Sequence, residues 1–318
     1  MIQQWSFGAQ RTIARNWDAE VDYVGTKSSH LFVLSNYNQP TISNGVSTKV
    51  VPYSNFGQIE YMSARGHGNY NGLQASLTKN LTHGYSFKAA YTLSHSLDNT
   101  PEELESSSGD APNGRNYDAW YGNSDFDVRQ RISVNFTWEL PFGKGKTLFT
   151  SGPTASVFGG WRLSGVYTAY SGHPVTASLS SESSLLDAYG FATAVPNVVG
   201  SVHYLHNPKC WFYTSKNSSC SASSSLSDAF ADPGKYVVGN SHRNTLVGPR
   251  TQVLDASLVK TIPIHRDWSG EFRWEVFNAA NHALFGQPSG DLSSGSVASI
   301  TTLSGDPRVM QLALRLNW

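Results

Sequence analysis

Strict alternation is the feature that most narrows what this chain can become. At its end, Met310, Leu312, Leu314, Leu316 and Trp318 alternate with Val309, Gln311, Ala313, Arg315 and Asn317. A period of two puts the large apolar side chains on one face of a β-strand and their neighbours on the other. The zigzag recurs. Tyr85, Phe87, Ala89, Tyr91 and Leu93 oppose Ser86, Lys88, Ala90, Thr92 and Ser94, and Ile132, Val134, Phe136, Trp138 and Leu140 oppose Arg131, Ser133, Asn135, Thr137 and Glu139. Weaker copies run through residues 2–11, Ala19–Val24, Leu73–Leu77 (with an extension back to Ile59 beyond the membrane), Trp161–Tyr170, Leu254–Leu258 and Phe272–Val276, so the chain is expected to hold nine strands. Several of these runs are about ten residues long, the length a tilted strand needs to cross a bilayer's hydrocarbon.

Composition fits a membrane β-protein and a secreted all-β protein equally well. Charged residues are 14% and aromatic residues 12% of the chain. No window approaches the ~18 consecutive apolar residues of a membrane helix. Only alternate strand residues need to be apolar when one face meets lipid. The net charge is zero, which argues against a nucleic-acid partner, whose phosphates call for a basic surface.

The charged residues decide which face is wet. Arg131, Glu139, Arg162, Asp255, Glu271, Arg273, Glu275 and Arg315 all fall on the polar side of their strands. An Arg or Lys on the lipid side near mid-membrane costs about 2–4 kcal/mol, so this set is expected to face a watery lumen. Lys260 alone is expected on the apolar side, near a strand end where a long side chain can snorkel to the interface. Tyr85, Trp138, Trp161, Trp268 and Trp318 read as interfacial girdles, the alternative being stacking against a carbohydrate.

The connections alternate long and short. Long loops are expected at about 27–57, 97–125, 172–250 and 279–307, with short or moderate turns at the other strand ends. A structureless segment as long as 172–250 argues against a compact soluble domain. It suits an up-and-down barrel with long external loops, short periplasmic turns and Trp318 at the periplasmic rim. The expected fold is therefore all-β: a transmembrane antiparallel up-and-down β-barrel, in part. Nine is an odd number, and an unpaired edge in lipid leaves backbone groups without partners. Residues 1–318 are accordingly expected to be the C-terminal portion of a larger barrel. Met1 and Ile2 run straight into Gln-Gln-Trp without a secretory signal, which points the same way.

Cys210 and Cys220 are the two cysteines. Their spacing in a Ser-rich loop fits a disulfide formed in an oxidising compartment, the alternative being two unpaired thiols. Trp211, Phe212 and Tyr213 between them are candidate ligand contacts, unless they pack around the disulfide. Other motifs lead nowhere. Gly145-Lys146-Thr147 lacks the leading glycine of a phosphate loop, since Leu140 stands in its place. His203 and His206 are close together without further ligands, and no Gly-x-Ser-x-Gly elbow occurs. No catalytic, metal or cofactor site is expected.

At this point a family resemblance becomes specific. The stretch NYNGLQASLTKNLTHGYSFKAAYTLSHSLDN (69–99) resembles the strand–turn–strand unit of Oar-like TonB-dependent receptors, and QQWSFGAQRTIARNWDAEVDYVGTKSSHL (3–31) resembles an earlier one. FDVRQRISVNFTWELPFGKGK (126–146), GNSHRNTLVGPRTQVLDASLVKTIPI (239–264) and FRWEVFNAANHALFGQP (272–288) are similar to later parts of that family's barrel. The resemblance implies a carboxypeptidase-regulatory-like sandwich and a plug upstream, then a barrel of roughly 22 strands. It implies uptake of a large substrate across the outer membrane of a Gram-negative bacterium, driven by TonB. The expected partners are outer-membrane lipid, the missing strands and plug, TonB through them, and the barrel assembly machinery acting on the terminal strand Met310–Trp318. This chain departs from the pattern in lacking a plug. Two rivals are a passive porin-like or adhesive barrel and a secreted glycan-binding β-sandwich.

Overall fold

The computed structural model describes residues 1–39, 42–43, 46–47, 51–100, 111–180, 194–220, 226–234, 237–265 and 268–318. Nine strands build one wall: β1 (Ile2–Ala14), β2 (Trp17–Asn36), β3 (Glu60–Thr82), β4 (Tyr85–Asp98), β5 (Gln130–Glu139), β6 (Trp161–Tyr170), β7 (Thr251–His265), β8 (Trp268–Phe277) and β9 (Val309–Asn317). Each pairs antiparallel with the next in chain order, and the short segment Gly122–Asn123 adds to the outer end of β4. Among the described residues β1 and β9 each pair on one side only, so the sheet is an open wall with two free edges.

Tight turns sit at one end. Between β3 and β4, His83 and Gly84 both take positive φ (53° and 81°), the left-handed pair that matches strand twist in a two-residue hairpin. At the other end are the long connections 37–59, 99–129, 171–250 and 278–308.

The register carries the sequence alternation across the sheet. One row runs Tyr85–Trp138–Leu163–Leu258–Trp274–Leu312, six apolar side chains abreast on six strands. The next row runs Ser86–Thr137–Ser164–Ser257–Glu275–Gln311, on the opposite face. Among the described residues the greasy face is uncovered over most of its area, and only the segment 152–158 reaches it, at the end near Trp161. Among the described residues, the only buried apolar side chains in the wall strands are Val33 and Val259, while Leu312 and Leu314 are 69% and 84% exposed. A two-layer sandwich would bury one sheet face against another. The other sheets here are two-stranded pieces, which removes the sandwich alternative.

Three expectations need correction. β2 extends to Asn36, so residues 27–36 belong to the wall and the first loop shrinks to 37–59, while β3 starts at Glu60, in line with the backward extension toward Ile59. The register shifts around His30, which has φ of 59°, break the alternation that would have revealed this extension. Lys260 is also not alone on the apolar face. Lys79, paired with Trp17 and Phe87, shares that face and is buried beneath them, with their rings 5.3 Å apart. Its ammonium lies 4.7 Å from the centre of the Tyr85 ring and donates to Asn80 O and Thr82 Oγ1, which offsets the cost of its position.

The third correction concerns residues 172–250, expected to be irregular. Ala177, Leu179, Ala194, Trp211, Phe212 and Leu246 pack with Leu292, Val297 and Ala298 into a hydrophobic core of their own. Short strand pairs join 174–175 to 246–247, 197–198 to 230–231 and 204–207 to 210–212. The long segment and the last loop thus fold together as an external cap.

Candidate functional site

The polar rows meet at a trough of about 580 Å³. Thr78, Lys88, Asn135, Val166 and Asp255, one polar row, line it, as do five members of the adjacent row from Ser86 to Glu275. Phe87, Phe136, Gly165 and Ala256 line it too, but each lies between two residues of the polar rows, where the backbone reaches the hollow. The polar face is therefore the concave one.

Several charges on this face are paired. Arg273 lies between Glu271 (2.7 Å) and Glu275 (3.5 Å), which successive same-face positions of β8 bring together. Gln311 Nε2 donates to Glu275 Oε2 at 3.2 Å, Glu139 accepts from Lys146 at 2.7 Å, and Arg162 stands opposite Glu139 in the register. Glu271 faces Arg315, Arg131 faces Thr92 and Tyr170, and Asp255 accepts the backbone N–H of Asn278 at 2.8 Å. All eight charged residues singled out from the sequence share the polar parity of the wall. They do not converge on one point but spread down its length.

Higher up, a second hollow of about 430 Å³ lies on the same face, below the cap, lined by Thr26, Ser28, Asn69, Tyr70 and Phe126 among others. It is roofed by a polar lock invisible in the alternation. Arg243, only 2% exposed, holds Asp98 at 2.9 Å and Asp125 at 3.1 Å and donates to Thr100 O. Its neighbour Asn244 donates to Asn123 O and Asp125 Oδ1, both at 2.7 Å, and accepts from Thr176 Oγ1 at 2.9 Å. Two residues of the long segment thereby tie the loop after β4 to the cap. Asp98 ends β4 beyond the membrane-crossing part of the wall. Burial pushes its carboxyl above the ordinary value, against the pull of Arg243. The sequence signal for this lock was the GNSHRNTLVGPR stretch, whose role was not evident from strand patterning.

Other loops join the same assembly. Gln39 accepts from Gly114 N (2.9 Å) and Arg115 Nη2 (2.6 Å), and Tyr117 donates to Leu34 O. Val33, Ala111, Tyr117, Trp120 and Val195 form a second small core from three parts of the chain.

Cys210 and Cys220 form a disulfide, with Cα atoms 5.2 Å apart. The ligand-contact reading of its neighbours needs correcting. Trp211 is 8% and Phe212 1% exposed, both inside the cap core, where Trp211 Nε1 donates to Val247 O at 2.8 Å. A buried Trp is placed for packing once its N–H finds an acceptor. Tyr213 is half-buried. Among the described residues no three His, Cys, Asp or Glu side chains gather as a metal site.

A one-layer wall with a bare apolar convex face, a charged concave face and a loop cap at one end is the wall of an outer-membrane β-barrel. The chain matches the family model for the outer membrane beta barrel domain over residues 1–311, and it belongs to that family. It is a Gram-negative outer-membrane protein. No curated protein sequence matches it. In fold it is similar to the outer membrane transporter YddB from Escherichia coli, with TM-score 0.50 and 12% identity, over 100% of this chain and 32% of that one. It also aligns with FpvA, the pyoverdine outer membrane receptor of Pseudomonas aeruginosa, with TM-score 0.44 and 10% identity, over 100% of this chain and 29% of that one. The chain spans about a third of the length of these structures.

Proposed function

We propose that the chain supplies about nine strands of wall, the charged lumen lining and much of the external cap of a TonB-dependent transporter for a large substrate. The observation that carries this reading is the open sheet. Every unpaired N–H or C=O along β1 or β9 costs several kcal/mol in hydrocarbon. Both edges therefore call for further strands in the membrane, and nine strands make well under half of a barrel of roughly 22. A concave face that carries charges along its length, several of them paired, suits a wide, water-filled or plugged lumen better than the packed interior of a small barrel. No reaction is assigned, and the role is transport and reception.

Immunodetection of the external cap in native envelopes of the producing bacterium, run without boiling, tests the reading. It predicts a heat-modifiable species much larger than the 34.7 kDa of this chain, with a formaldehyde adduct to TonB. A heat-modifiable band at the chain's own mass with no TonB adduct would support the passive-barrel alternative instead.

A further inference from the structure

Among the described residues the connection between β5 and β6 is the one periplasmic turn that is not tight, and it leaves the wall on the outside. Residues Gly152–Phe158 form a short helix, α1, with no buried residue. A helix of two turns does not persist in water on its own strength. Its carbonyl end is tied down from the convex face. Lys260 Nζ donates to Ser156 O (2.9 Å), Val157 O (2.5 Å) and Gly159 O (3.2 Å), and Trp161 Nε1 donates to Val157 O (3.1 Å). Lys260 and Trp161 face each other in the apolar row that continues through Phe272 to Leu314. The helix thus lies against the greasy side of the wall, at the end where Trp268 and Trp318 stand.

What it presents there is apolar. Val157 is 59% and Phe158 48% exposed, and Leu148 and Phe149 beside them are comparably bare. Phe142, Phe149 and Phe158 form a chain of rings with centres 5.7 and 5.3 Å apart. Phe149 reaches its place with φ of 51°, a backbone conformation that side chains with a Cβ rarely adopt. Aromatic and aliphatic groups held outward at such a cost need a cover. Strands added at the free edges extend the sheet sideways beyond β1 or β9, while β5, β6 and β7 sit inside it, and anything filling the lumen lies on the opposite face. The surface is continuous with the lipid-facing wall.

We propose that residues Leu148–Phe158 form a membrane-surface anchor seated in the phospholipid leaflet on the periplasmic side, with Leu148, Phe149, Val157 and Phe158 inserted at the boundary of headgroups and acyl chains. This rests on the membrane reading of the convex face. Lys260 serves as the clamp: its ammonium satisfies the last carbonyls of α1, which would otherwise face hydrocarbon unpaired. The ring cluster supplies the buried area, as in interfacial helices whose apolar side sinks roughly 5–10 Å into the boundary.

Both cysteines are disulfide-bonded, so Val157→Cys in the full chain carries the sole free thiol for an environment-sensitive fluorophore. The labelled chain, in a barrel completed by the strands that pair its two edges, is inserted into phosphatidylethanolamine–phosphatidylglycerol vesicles. The Val157 label is expected to be quenched by lipids brominated near the headgroup about twofold more than by lipids brominated near the bilayer centre, and to be shielded from aqueous iodide. A label at Leu312→Cys reports whether the wall is in the membrane, and one at Ser218→Cys in the external cap sets the fully aqueous level. Iodide quenching at Val157 equal to that at Ser218, with Leu312 still quenched by lipid, would overturn the anchor and leave the barrel standing. Shielding from iodide without quenching by brominated lipid would overturn it too, in favour of a periplasmic protein cover. Loss of lipid quenching at Leu312 would instead overturn the membrane reading beneath both.

Discussion

Replacing Arg243 by Met should unfasten the external cap while sparing the wall. Arg243 is buried, with carboxylates at 2.9 and 3.1 Å. At an effective dielectric of ~20, each such pair carries about 5–6 kcal/mol of attraction. Asp125 is partly exposed and can rehydrate, so its share is largely returned by solvent. Asp98 is buried and cannot, and stranding a buried charge costs about 3–5 kcal/mol. That is the expected loss of cap stability, read by hydrogen exchange at amides such as Trp211, whose N–H is bonded to Ala298 O at 2.7 Å in the cap core. Wall amides should exchange as before. The pH dependence follows in sign. Burial raises the Asp98 carboxyl above its unfolded value, so protonation favours the folded cap and that contribution is lost as pH rises through the folded value. Removing Arg243 deletes the opposing pull and raises Asp98 further, so the penalty should shrink on acidification. Replacing Asp98 by Asn in the same molecule should recover at least half of the loss, because no buried charge is then left alone. A single-variant loss below ~1 kcal/mol, or a double variant as damaged as the sum of its parts, would refute the reasoning.

Three further outcomes follow from the structure. Reducing the Cys210–Cys220 bond, which closes a loop with a sequence separation of 10, should cost the cap about 3 kcal/mol without altering heat-modifiability of the wall, as proteolysis of the cap would show. Leu312→Arg on the convex face should lower membrane-protein stability by about 2–4 kcal/mol, whereas Thr168→Arg on the concave face should cost under about 1, compared by urea titration in vesicles. Replacing Trp318 by Ser should lower the yield of chain assembled in the outer membrane, scored by the unboiled fraction on gels, and an unchanged yield would remove the terminal strand from the assembly account.

The wall was legible in the sequence because a strand between lipid and water leaves its mark on every second residue. Leu312, Trp274 and Leu258 lie abreast in the register as their alternation requires. The same rule failed where the environment is not two-sided. Around His30 the bulges interrupt the period, and the outer parts of β2 and β3 stand in the cap, so both faces there can be mixed. Lys79 was missed since its charge is hidden by Trp17 and Phe87 and satisfied by its own turn, a compensation that no one-dimensional pattern records. The cap was opaque for a different reason. Its core draws on Leu179, Phe212, Leu246 and Val297, residues far apart in sequence and in no shared period. Trp211 and Phe212 looked like binding residues because aromatics in a polar loop serve binding and packing equally well, and only their burial decides. Arg243 gave no clue to its role, since its partners lie on other loops.

The most direct test of the whole account is a nitroxide scan along β9, one cysteine at a time from Val309 to Asn317, with the chain part of its completed barrel in lipid vesicles. Collision with oxygen, which dissolves in acyl chains, should peak at 310, 312, 314 and 316, and collision with a water-soluble nickel chelate at the positions between. Equal access at adjacent positions, or the opposite phase, would contradict the assignment of lipid to one face and water to the other.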